Sequence, residues 1–139
     1  MLLLENATIR TMGPEGVING SILLGQGKIL ELAPRINLPQ SADCEVIVMP
    51  GLVEAHCHMG ITEEKKGKEG DDCNEAVHPL TPFLRAIDAI NTMDAAFDDA
   101  VRAGITTAMI GPGSSNVVGG QFAVVKTKGR RIDDLIMKS

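Results

Sequence analysis

The chain has 139 residues, a net charge of −5 and only three aromatic side chains, all Phe. That length suits one ordinary domain with a real core. The negative charge and the lack of stacking aromatics exclude nucleic acid as a partner. Leu2-Leu3-Leu4 is too short for a signal-peptide core and no apolar run approaches a membrane span, so no membrane association is expected. Cys44, Cys57 and Cys73 form no C-x-x-C pair, which points to reduced thiols and a cytoplasmic protein.

Residues 2–11 read as a strand, and 13–16 as a turn. Residues 21–24 and 28–32 read as the arms of a hairpin closed at Gly25-Gln26-Gly27. Residues 33–43 carry two prolines and read as loop, and 45–49 as a further strand. These short segments predict a small antiparallel β-sandwich portion over residues 1–49.

The pattern changes at Pro50-Gly51, which opens the run P-G-L-V-E-A-H-C-H. In a β-strand, alternate side chains share a face. Leu52, Glu54, His56 and His58 would then share one face, with Cys57 packing on the other. Two imidazoles side by side suit a metal site, because each can ligate through one ring nitrogen while an acceptor orients the other. The bare H-x-H spacing is weak as a signal, since a histidine near a strand end is commonly just hydrogen-bonded structure. Residues 59–91 form a long connection with a short helical candidate at 84–90. Glu69, Asp71, Asp72 and His78 in it are candidate substrate contacts, set against the plainer reading of a solvated loop. The basic clusters Lys65-Lys66-Lys68 and Lys126-Lys128-Arg130-Arg131 read as solvated surface.

Residues 92–103 have the apolar spacing of an amphipathic helix, with Met93, Ala96, Phe97, Ala100 and Val101 on one side. Thr92 is the expected N-cap and Gly104 the C-terminal glycine. Asp94, Asp98, Asp99 and Arg102 are expected on the solvated face, with Asp98–Arg102 as an i, i+4 pair. Residues 105–110 read as a strand. Strand, helix and strand make a βαβ unit with parallel pairing. Residues 111–121 are a glycine-rich connection. They lack G-x-x-x-x-G-K-[ST], and no clear helix follows to hold a phosphate. Residues 122–127 read as a strand, and 132–137 are left open.

The run at 50–58 closely resembles the P-G-[LIF]-[IV]-[DE]-x-H-x-H signature of the amidohydrolase superfamily. The stretches at 2–11, 21–32, 78–91 and 103–121 also resemble that family, the last two its imidazolonepropionase-like branch. The resemblance implies a mixed α/β chain: the β-sandwich portion over 1–49, then over 50–139 the first βαβ segment of a (β/α)8 barrel of the TIM type. It implies that His56 and His58 ligate a divalent metal, zinc first, with Ni, Fe, Co or Mn as alternatives. It gives Glu54 a supporting role behind the ligands, holding an imidazole or a neighbouring strand. It places Asn116, Gln121 and His78 in loops around a small-molecule amide substrate. The implied reaction is hydrolysis of a C–N bond in an amide or cyclic amide by a metal-activated water.

A barrel takes about 250 residues, so the resemblance further implies an N-terminal part of an enzyme. The remaining ligands and the proton-handling aspartate have no counterpart here, and the chain alone is expected to be inactive. An open sheet edge favours homo-oligomers or association. The alternative reading is a non-catalytic binding or assembly module with vestigial histidines; a nucleotide-binding domain built on 111–121 is the third.

Overall fold

In a computed structural model the described residues are 1–37, 42–43, 45–64 and 66–138. Cys44 and Lys65, read above as a reduced thiol and a surface cation, lie outside them. The chain divides into two compact units, Met1–Pro50 and Gly51–Ser139.

The first unit is a five-stranded sheet. Strands β1 (Leu2–Arg10), β2 (Val17–Gly25) and β3 (Lys28–Ala33) form an antiparallel meander. The β2–β3 turn is closed by Gln26 and Gly27, both with positive φ (52° and 70°). That pair of left-handed residues matches the twist of the flanking strands. Strands β4 (Ala42–Asp43) and β5 (Ile47–Val48) both pair with β1, and both run parallel to it. This corrects the all-antiparallel expectation. β4 and β5 lie on the side of β1 away from β2, and a strand that joins a sheet there after a crossover from β3 pairs in the parallel sense. Ala7, Ile9 and Ile22 are the buried centre of this unit, with Leu4, Ile18, Leu24, Val46 and Val48 packed around them.

The second unit is a four-stranded sheet in the order β6 (Leu52–Cys57), β7 (Ile105–Ile110), β8 (Ala123–Lys126) and β9 (Ile136–Lys138). β6 and β7 are parallel and are joined through helix α1 (Ala95–Arg102). β8 is antiparallel to β7, and β9 to β8, so the sheet does not continue in the parallel sense. The reason lies in the connections. Residues 111–122 contain no helix to carry the chain across the sheet face, so β8 returns directly alongside β7. The stretch left open at 132–137 holds a four-residue helix, α2 (Ile132–Leu135), running straight into β9. Ile61, Phe97, Ala108, Ile110, Val125 and Leu135 form the core of this unit.

The helix start also differs from expectation. Asp94, not Thr92, caps α1: its Oδ1 accepts from the Ala96 amide at 2.8 Å. Asp94 is only 6% exposed, because its other oxygen accepts from the Glu64 amide at 2.7 Å. A carboxylate serving two partly buried amides wins over a threonine hydroxyl at a positive helix end. Thr92 instead directs its hydroxyl to the Arg130 carbonyl at 2.5 Å. Arg102 pairs with Asp99, one turn back at 2.9 Å, rather than with Asp98. Gly104 follows the helix with φ +83°, the left-handed position expected of it.

Candidate metal centre

The two histidines of the 50–58 run stand at the C-terminal end of β6. His56 lies in the strand and His58 one residue beyond it. Their ring centroids are 5.4 Å apart, edge to face. Residue Gly111, just past the end of β7, reaches them from the neighbouring strand. Its amide donates to the Cys57 carbonyl at 3.1 Å, and its carbonyl oxygen stands 2.7 Å from His58 Nδ1. Acceptance by a carbonyl requires the proton on Nδ1, which leaves Nε2 with its lone pair free. Backbone carbonyls commonly fix metal-binding histidines in this way.

His56 is oriented differently. Among the described residues its imidazole makes no hydrogen bond; its ring neighbours are His58 and Phe122, the latter 5.3 Å away and tilted by 51°. The Glu54 carboxylate accepts from the His56 backbone amide at 3.0 Å. It therefore supports the strand end, not an imidazole. Cys57, between the histidines, packs against the core and directs its thiol to the Met109 carbonyl at 3.7 Å. Burial pushes this thiol up from its ordinary pKa. A hydrogen bond with the Met59 backbone opposes the rise, and the charge of Glu54 adds to it. A neutral thiol turned toward the core is a poor ligand.

The turn that follows His58 is pinned. The His58 carbonyl accepts from the amides of Ile61 and Thr62 at 3.0 and 2.9 Å. The Glu63 carboxylate accepts from Asn91 Nδ2 at 2.6 Å and pairs with Lys66 at 2.8 Å. The Lys66 ammonium first, and then the Asn91 amide, hold the Glu63 carboxyl below its usual range.

The predicted loop residues sit elsewhere. Asn116 Nδ2 donates to the Glu75 and His78 carbonyls at 2.9 and 3.1 Å. Gln121 Nε2 donates to the Pro82 carbonyl at 3.0 Å. Both side chains brace residues 111–121 against residues 75–85, so their amides face backbone rather than an open site. Thr81, 2% exposed, adds to this seam with its hydroxyl 3.1 Å from the Val118 carbonyl. The His78 side chain is exposed. Asp71 and Asp72 line a cavity of about 320 Å³ with Cys73, Glu75, Arg85 and Pro112, whereas Glu69 lies exposed in a short helical turn. Neither His56 nor His58 is among the residues lining that cavity.

The donor set fits a divalent metal in part. Two imidazoles are adjacent, and one has its ligating nitrogen freed by a backbone acceptor. Among the described residues no group of three or more His, Cys, Asp or Glu side chains comes together to complete a site. Gly111 and Phe122 are the site residues that sequence reasoning missed. The one available hint was a glycine directly after a strand, followed eleven residues later by one of three aromatics.

Comparison with known proteins gives consistent likenesses. No protein-family model matches the chain. An amidohydrolase of Hapsidospora irregularis, TasK, is 31% identical over 114 residues, which are 77% of this chain and 12% of that protein. A 5'-deoxyadenosine deaminase of Methanosarcina barkeri is 37% identical over 68 residues, 44% of this chain and 15% of that protein. The crystal structure of an amidohydrolase from Thermotoga maritima MSB8 matches with a TM-score of 0.84 at 35% identity, covering all of this chain and 37% of that one. The chain thus spans well under half the length of each of these proteins.

Proposed function

We propose that in this chain, which belongs to the amidohydrolase superfamily, His56 and His58 are two ligands of a catalytic divalent metal serving C–N bond hydrolysis. In this reading β6, α1 and β7 are the opening βαβ segment of a (β/α)8 barrel, with the histidines at the C-terminal end of its first strand. Active sites of that fold gather at this end of the strands. The observation that carries the reading is the 2.7 Å contact between His58 Nδ1 and the Gly111 carbonyl, beside a second imidazole 5.4 Å away.

Zinc or another divalent metal held by His56 and His58 would supply Lewis acidity and activate a water near neutral pH. The chain's own part is positional. Gly111 fixes the His58 tautomer, Glu54 ties down the strand end, and the seam through Asn116, Thr81 and Gln121 ties residues 111–121 to residues 75–85. The substrate class is a small amide or cyclic amide. Removal of an amine from a ring carbon is a second reading, favoured by the relative named as a deaminase.

Catalysis in this chemistry needs further ligands and a carboxylate to move the proton. We therefore expect the 139-residue chain by itself to turn over no substrate. Leu52 and Val53, 50% and 68% exposed on β6 at the edge of its sheet, support association through that edge.

Metal content per chain, measured by elemental mass spectrometry after dialysis against zinc, tests this. Zinc uptake is expected in the parent and none in the His56→Ala/His58→Ala variant. Equal content in both would refute the assignment.

A further inference from the structure

We infer that Phe122 is the positioning residue for His56, and that Gly111 permits this by having no side chain. The consequence for metal binding rests on the function proposed above; the orientation of the ring rests on geometry alone. Ile110 and Ala123 are direct partners in the β7–β8 ladder, so Gly111 and Phe122 face each other one step beyond it. A Cβ on Gly111 would lie 2.2 Å from Cδ1 and Cε1 of Phe122. Real atoms do not approach so closely, so the ring occupies space that any other residue at 111 would fill. From that place the ring reaches His56, with centroids 5.3 Å apart, inside the range of favourable aromatic contacts.

The two imidazoles are thus aimed by one pair of facing residues. The Gly111 carbonyl takes the Nδ1 proton of His58 at 2.7 Å. Phe122 walls one side of His56, whose ring has no hydrogen bond to hold it among the described residues. His56 is exposed, and an exposed imidazole without such a wall would sample several rotamers before a metal could collect both nitrogens.

The test uses the full chain and zinc alone as the probe. Zinc is titrated calorimetrically into the parent, Phe122→Ala, Phe122→Leu and Phe122→Tyr, and the order of each imidazole in the metal-free proteins is read by carbon-13 relaxation. Phe122→Ala is expected to weaken zinc binding by about tenfold, as loss of ligand support commonly does. His56 should become more mobile while His58 keeps its Nδ1 proton. Phe122→Tyr should restore both readings, and Phe122→Leu, which keeps most of the volume, separates ring contact from general packing. Unchanged order at His56 in Phe122→Ala would overturn the inference, as would equal loosening of both histidines. If the parent takes up no zinc, the metal reading fails, and the inference about Phe122 is decided by ring order alone.

Discussion

Phe97→Ala is expected to lower the stability of the chain by about 3–5 kcal/mol, the usual cost of removing a buried aromatic ring. Phe97 is 3% exposed and is the buried residue of α1. Its ring packs into the core shared with Ile61, Ile90, Ala108 and Ile110. It also lies against the turn after His58, where a Cβ on Gly60 would meet Phe97 Cε2 at 2.9 Å. The substitution therefore loosens both the helix and the segment that carries the ligand. Domains are stable by only about 5–15 kcal/mol, so much of the folded margin would go. Urea denaturation followed by circular dichroism measures it. A loss below about 0.5 kcal/mol, the level of a surface change, would mean that α1 is not anchored through this ring.

Gly111→Ala is the second large effect. The added methyl would sit 2.2 to 2.4 Å from three atoms of the Phe122 ring, so the ring must swing aside. Overpacking of this kind costs about 1–3 kcal/mol. Here it should also weaken metal binding, since the ring leaves His56 and the carbonyl that holds His58 belongs to the same residue. The two positions are coupled. In a Phe122→Ala background the space is vacant, and Gly111→Ala should then cost about 0.5 kcal/mol or less, as a substitution that meets no packed neighbour does, so the two changes should depart from additivity. A double-mutant cycle by chemical denaturation gives the coupling. Equal cost of Gly111→Ala in both backgrounds would show that the close approach does not matter.

What could be read in the sequence was local. The i, i+2 histidines, the βαβ order and the Gly104 stop rest on neighbouring residues and on periodicity. What could not be read depended on contacts distant along the chain. Asp94 displaced Thr92 as the cap because its second oxygen serves Glu64, thirty residues away. β8 turned back against β7 because the 111–122 connection has no helix, a choice that a glycine-rich stretch does not announce. The family resemblance implies Asn116 and Gln121 as substrate-loop residues; their amides are taken by backbone carbonyls 38 to 41 residues distant. The support of His58 by Gly111 spans 53 residues and involves a backbone atom, so no side-chain pattern encodes it. The Glu54 carboxylate accepts from the His56 amide rather than from a ring, a local contact that residue order alone does not specify.

A long-range proton–nitrogen NMR spectrum of the imidazoles during zinc titration tests directly whether His56 and His58 together bind a divalent metal, with His58 ligating through Nε2. The chain's three histidines supply their own control, because His78 is exposed and lies in a separate loop. His56 and His58 are expected to shift together and saturate at the same zinc ratio, the His58 change to fall on Nε2 while Nδ1 keeps its proton, and His78 to stay in place. Shifts of all three histidines in parallel, or of none, would contradict this.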